Sequence, residues 1–395
     1  MRIAPLCVAA FTASCAAGSG RPAIFDALRS RRTGLSVNDF TEAPLATWIG
    51  RVPHLEAQPL PHELAKWECR NNRLAWHGLQ RDGFLQTVAV ARERYGASRV
   101  ALVLGTSTSS IGATEEGYRR LGADGGYPPE LRRPAVHTVH SLGDFVQHAL
   151  GLTGICATVA TACSSSAKVF AQAERLMRLG LADAAVVGGV DSLCHSVLFG
   201  FNALELVSPD PCRPFDAARR GLSLGEAAGF ALLERNGSGP WLLGYGESSD
   251  AHHMSSPHPE GLGARRAIAD ALERGGVAPR DIDYINLHGT ATHKNDEVEA
   301  RIVAEVFPAR THASSTKGWT GHALGAAGIL EAVVTLLALE SGLTPGTLNS
   351  RKLDPACGPQ IRLENGDREV RHALSHSFGF GGSNCVLLFG TARLH

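Results

Sequence analysis

The chain has no net charge: thirty-eight Lys and Arg stand against thirty-eight Asp and Glu. No global field therefore draws it to DNA, RNA or an anionic membrane, and an acidic partner would have to be met by a local patch. There is no C-x-x-C pair. The nine cysteines, at 7, 15, 69, 156, 163, 194, 212, 357 and 385, are odd in number and scattered, which argues against a disulfide framework or a structural zinc site and makes a reducing cytoplasm the default. No apolar run approaches the roughly 18 residues of a membrane span. Charged residues make up only 19% against 44% hydrophobic, which excludes a disordered or coiled chain, and no short repeat is visible.

What is present is a chain of 395 residues, longer than the roughly 250–300 at which one core stops growing, with 44 glycines. Buried-strand candidates recur at 99–104, 154–160, 184–188, 228–233, 283–287, 373–377 and 384–389, with helical stretches at 164–179, 262–274, 296–306 and 326–340. Alternation of this kind points to α/β layering. Asn236–Pro240 (NGSGP) reads as a surface crossing, so two units are expected, 1–240 and 241–395. The start, MRIAPLCVAAFTASCAAGSG, imitates a lipoprotein signal, but reads better as a first buried strand from Ile3 to Phe11 followed by a helix over 22–30.

Four clusters carry chemistry. Cys163, in Ala160-Thr161-Ala162-Cys163-Ser164-Ser165-Ser166, follows a strand and precedes a helix, where a helix dipole and free N–H groups would lower its pKa and expose a thiolate among small neighbours. A buried core cysteine is the competing reading. His288, in Asn286-Leu287-His288-Gly289-Thr290-Ala291-Thr292, sits where a strand end can deliver an imidazole. Lys317 and His322 share Ser314-Ser315-Thr316-Lys317-Gly318-Trp319-Thr320-Gly321-His322. A single histidine among seventeen is more often a satisfied core or surface residue; the cluster changes that. The last cluster, His376-Ser377-Phe378-Gly379-Phe380-Gly381-Gly382-Ser383-Asn384, is glycine-dense, as an oxyanion hole or a hinge requires and as a plain hairpin also permits.

TACSSS, HGTAT, STKGWTGH and SFGFGGSN, in that order, resemble the β-ketoacyl-acyl-carrier-protein synthases over essentially the whole chain, closest to the elongating enzymes of fatty-acid and dissociated polyketide systems. The resemblance implies a thiolase-like α/β fold, two similar halves with mixed five-stranded sheets in α-β-α-β-α layers, in a dimer. It implies Cys163 as the acyl-accepting nucleophile, His288 and His322 as the pair that promotes decarboxylation, and Lys317 as their support. Backbone N–H groups of Cys163 and Phe380 would form the oxyanion hole. Phe380 would also be a gate, in a loop with Phe378, Gly379 and Gly381, and Asp296 and Glu331 would be supporting acids. The implied partners are an acyl carrier protein bearing phosphopantetheine thioesters, and a second copy or a chain-length factor. No metal or organic cofactor is implied.

One departure stands out. Many members have proline after HGTxT, where this chain has His293-Lys294-Asn295, a basic pair that either meets carrier or partner or is a solvated loop. The variant is associated with aryl-polyene or related pathways. Rival readings are a thiolase, which would need a second cysteine such as Cys385 as base, a starter-type synthase, which would place Asn where His322 stands, a silent chain-length factor, which would replace Cys163, and a zinc module using Cys163, His288 and His322.

Overall fold

The computed structural model describes residues 2–393. Ten strands carry the fold: β1 (Leu6–Cys15), β2 (Val100–Gly105), β3 (Cys156–Val159), β4 (Ala184–Asp191), β5 (Ala227–Glu234), β6 (Trp241–Ser249), β7 (Tyr284–Asn286), β8 (His312–Ser314), β9 (His372–Phe378) and β10 (Ser383–Gly390). Eight helices matter below: α1 (Arg70–Leu79), α2 (Phe84–Tyr95), α3 (Ser141–Leu150), α4 (Ser165–Arg178), α5 (His195–Ala203), α6 (Leu262–Gly275), α7 (His293–Val306) and α8 (Ala327–Ser341).

The strands line up as β3-β2-β4-β5-β1-β6-β10-β9-β7-β8. The first five and the last five thus repeat one topology in mirror sequence about the β1/β6 seam. In each set four strands run in one direction and one, β5 or β10, runs against them, which is the mixed five-stranded sheet expected. The seam is narrow, Leu6 opposite Leu242 and Cys7 opposite Trp241.

Alternation along the strands decides the layers. Ala101 and Val103 of β2, with Leu387 and Phe389 of β10, face a central cluster built on α4 and α8. Val100, Leu102 and Leu104 face α1, α2 and α3, and Val386 and Leu388 face α6 and α7. Both faces of each sheet are covered, which is why these strands read as unbroken apolar runs.

Several expectations shift. The first strand is Leu6–Cys15 rather than 3–11, and Cys15, which a lipoprotein reading would need exposed, is fully buried. Strand β6 starts directly behind the NGSGP crossing and β8 is only three residues long; neither was expected. Helix α7 begins at His293, three residues before the expected start. The apolar stretch Leu324–Ser341 is, against expectation, long and apolar enough for a membrane span. It forms α8 and its lead-in, nearly all buried between the two sheets, and a helix apolar all round is what a central layer requires.

Candidate active site

The turn between β3 and α4 carries Cys163. The chain reverses there through Ala162 in the left-handed region at φ 51°, and Ser165 Oγ ties the turn by donating to Ala162 O at 2.6 Å while accepting the Thr161 N–H at 2.9 Å. Cys163 is 4% exposed at the base of a pocket of about 180 Å³, lined also by His288, His322, Phe378 and Phe380. Burial pushes its thiol up to about 11, against the pull of Lys317 and a hydrogen bond from the Phe380 backbone. The expected accessible thiolate is therefore corrected. The sulfur lies ahead of the first helical residue, Ser165, and loss of water outweighs the helix terminus.

His322 Nε2 lies 3.0 Å from Cys163 Sγ. Its backbone is pinned to a neighbouring strand, donating to Ser223 O at 2.8 Å and accepting from Gly225 N at 3.0 Å. His288 leaves the end of β7 with its N–H on Glu299 Oε1 at 2.9 Å, and Gly289 N–H on Oε2 at 2.8 Å. A side chain at Gly289 (φ 35°) would come within 2.5 Å of the Ser315 Cβ, so only glycine fits. The two rings stand edge to face, centroids 5.4 Å apart at 85°. Burial, then Lys317, hold both imidazoles well below their ordinary pKa, so both are neutral. Neither Nδ1 has a hydrogen-bond partner among the described residues.

Lys317 is buried and bridges His288 O and Glu331 Oε1. Burial raises the Glu331 carboxyl to about 7 although Lys317 pulls it down. Asp296 lies one layer behind the histidines, accepting from Phe215 N at 2.7 Å and Ala291 N at 3.2 Å, and burial raises it to about 6. His293 and Lys294, expected in a loop, form the first turn of α7, exposed at the pocket rim.

The glycine-rich loop closes the pocket. Phe378 packs 6.0 Å from the His288 ring, and Phe380, partly exposed, stacks on Phe201 of α5 at 5.4 Å and 23°. A side chain at Gly379 would meet Cys163 N at 3.3 Å, whereas one at Gly381 (φ 74°) would meet nothing. The loop is thus tight where it touches Cys163 and open just beyond the ring.

Three residues escaped the sequence reading. Glu299 follows Asp296 by three, the spacing that puts two acids on one helix face. Phe201 had no local signal. His376 stood inside the quoted fourth cluster without a role; it is fully buried, with Nδ1 3.0 Å from Glu299 Oε1. Cys385, the base a thiolase would need, is buried in the central core cluster instead. The Cys163, His288 and His322 donor atoms lie within 4.8 Å of one another, close enough to invite a metal. Yet neither imidazole has the Nδ1 partner that orients a metal-bound histidine.

Comparison with known proteins gives a consistent result. The β-ketoacyl synthase N-terminal domain matches residues 71–238 and the C-terminal domain residues 241–351. Nodulation protein E of Rhizobium meliloti (strain 1021) is 36% identical over 311 residues, 74% of this chain and 76% of that protein. A mitochondrial 3-oxoacyl-[acyl-carrier-protein] synthase of Arabidopsis thaliana is 38% identical over 264 residues, 61% of this chain and 57% of that protein. Among solved structures, a ketosynthase in complex with its chain length factor from Xenorhabdus doucetiae aligns over 98% of both chains at 34% identity, with a TM-score of 0.90.

Proposed function

The chain belongs to the β-ketoacyl synthase family, and we propose that it joins an acyl group held on Cys163 to a malonyl unit on an acyl carrier protein, with loss of carbon dioxide. The observation that carries this is the neutral Cys163–His322 pair at 3.0 Å beside the neutral imidazole of His288.

In the first half reaction Cys163 Sγ attacks the carrier's thioester carbonyl. His322 Nε2 takes the thiol proton as attack proceeds and returns it to the departing phosphopantetheine sulfur, so a buried thiol reacts without a standing thiolate. Backbone N–H groups of Cys163 and Phe380 would hold the tetrahedral oxyanion. In the second half reaction the bond between the malonyl carboxylate and C2 breaks. Carbon dioxide leaves, and the electron pair becomes an enolate whose oxygen lies between the two histidines. Each imidazole N–H there is worth roughly 2.7–4 kcal/mol if it resembles a single oxyanion-hole donor. C2 then attacks the acyl carbonyl, and the C–S bond breaks. Cys163 leaves as thiolate and takes a proton from water, by way of His322, which makes up for the negative charge that the malonyl carboxylate brought in.

His322 must accept at Nε2 in the first step and donate from it in the second. A tautomer is normally locked by the hydrogen bond the other nitrogen makes, and His322 Nδ1 makes none. With the sulfur acylated no S–H remains to accept, and the Nε2–H tautomer is free to form.

The same proposal takes the partners to be a phosphopantetheine-bearing carrier and either a second copy or a chain-length factor, in fatty-acid, aryl-polyene or other polyketide synthesis in the cytoplasm. It divides the chain at residue 240 into a half that carries the nucleophile and a half that carries the histidines. Intact-mass measurement after mixing with acyl carriers of several chain lengths tests it. An acyl mass gain on Cys163 that is discharged by malonyl carrier is expected; no gain with any chain length would overturn it.

A further inference from the structure

His376 has no part in the reaction above, yet it is fully buried and its Nε2 has no partner among the described residues. A buried imidazole left half satisfied is a cost, and two contacts offset it. Nδ1 lies 3.0 Å from Glu299 Oε1, and the ring packs 5.3 Å from that of Phe378 at 37°. With Nε2 unpaired, Nδ1 is the nitrogen that carries the hydrogen Glu299 accepts.

Both neighbours lead to the same place. The Glu299 carboxylate accepts the His288 and Gly289 N–H groups at 2.9 and 2.8 Å, fixing the backbone from which the His288 imidazole hangs. Phe378 stands edge-on to that imidazole, centroids 6.0 Å apart at 60°. Without the His376 donor, the Glu299 carboxylate is held by the two backbone N–H groups and by a long contact from Asn295 Nδ2, 3.5 Å from Oε2. Without the ring of His376, Phe378 loses its backing.

We infer that His376 is a positioning residue for His288: through the Glu299 carboxylate on one side and the Phe378 ring on the other it fixes the direction in which His288 presents its imidazole. It touches no reacting atom. The inference rests on the assignment of His288 to decarboxylation.

Two variants separate the contacts. His376→Phe keeps a ring against Phe378 and removes the donor to Glu299; His376→Asn keeps an amide N–H near the position of Nδ1 and removes the ring. Malonyl-carrier decarboxylation and single-turnover acylation of Cys163 are measured on each, with Glu299→Gln as a second probe of the same bond. His376→Phe and Glu299→Gln are expected to decarboxylate about ten- to a hundredfold more slowly, the scale of a misplaced catalytic group, with acylation little changed. His376→Asn should recover much of the loss. A merely structural role would slow both half reactions in parallel, and that result would overturn the inference. So would wild-type decarboxylation by His376→Phe and Glu299→Gln alongside a slow His288→Ala. A wild-type rate in His288→Ala itself would instead remove the assignment of His288, and the inference with it.

Discussion

His322 Nε2 and Cys163 Sγ meet at 3.0 Å with neither group charged: burial holds the thiol up at about 11 and the imidazole well below its ordinary value. In the proposed reaction this pair is nucleophile and base at rest, and it reacts only when substrate arrives.

A raised thiol has a direct signature. At pH 7 the thiolate is on the order of one part in ten thousand for a group near 11, and that fraction rises tenfold with each pH unit until the pKa is reached. Alkylation of Cys163 by iodoacetamide should therefore climb about tenfold per unit from pH 7 to 10. A plateau below pH 9 would mean that the helix terminus outweighs burial after all. In Cys163→Ala this labelling, together with acylation and condensation, should vanish while the fold is kept.

The two histidines should separate in function. His288 lines the pocket with a ring nitrogen within 4.8 Å of the sulfur, whereas His322 lies within hydrogen-bond distance of it at 3.0 Å. His288→Ala should lower malonyl decarboxylation by about 10²–10³, the cost of one oxyanion-hole donor, and leave acylation of Cys163 nearly intact. His322→Ala should impair both. Equal effects of the two variants on acylation would remove His322 as the base.

Lys317 and Glu331 form a buried pair, and removing one partner of such a pair typically costs roughly 3–5 kcal/mol. Lys317→Met should lose stability on that scale in urea unfolding. The pH dependence follows from the direction of the Glu331 shift, up to about 7. A carboxyl whose folded pKa is raised holds its proton more tightly in the native state. Its contribution to stability is full below the unfolded value near 4.3 and is lost as pH climbs through the folded one. Lys317 opposes that shift, so Lys317→Met should lose more stability between pH 5 and 8 than the parent does. Parallel curves would show that the two groups are not coupled.

How much of this was legible in the sequence follows from the range of the forces involved. Motifs of adjacent residues placed Cys163, His288, Lys317 and His322, because a turn or strand end is set by its own few residues. Long apolar strands such as β2 and β4 were equally visible. What was hidden depended on distant partners. Strand β8 is three residues long and exists because β7 lies beside it. Glu299 and His376 are 77 positions apart, and nothing local marks them as a pair. The expected low thiol pKa failed for the same reason. The helix behind Cys163 could be read from sequence, but the layers that exclude water around it could not.

The last prediction concerns Phe380. A phenylalanine in a packed core costs roughly 3–5 kcal/mol when cut to alanine, and this ring is not in one. It is partly exposed and stacks face to face on Phe201, 5.4 Å away, at the mouth of the pocket. Its backbone lies at Gly379 against Cys163 N and continues into Gly381 at φ 74°, where a side chain would find open space and the N–H is given to Met254 O at 2.7 Å. As the proposed gate, the ring would swing without moving the backbone that touches Cys163. Phe380→Ala should cost well under the figure for a core ring while changing the rate and chain-length preference of Cys163 acylation. Phe201→Ala, which removes the surface Phe380 closes against, should change the same preference. Thermal unfolding measured beside single-turnover acylation with carriers of several chain lengths checks both. A large fall in melting temperature with unchanged selectivity in either variant would return that ring to the role of packing, since a gate must alter what passes more than what stands.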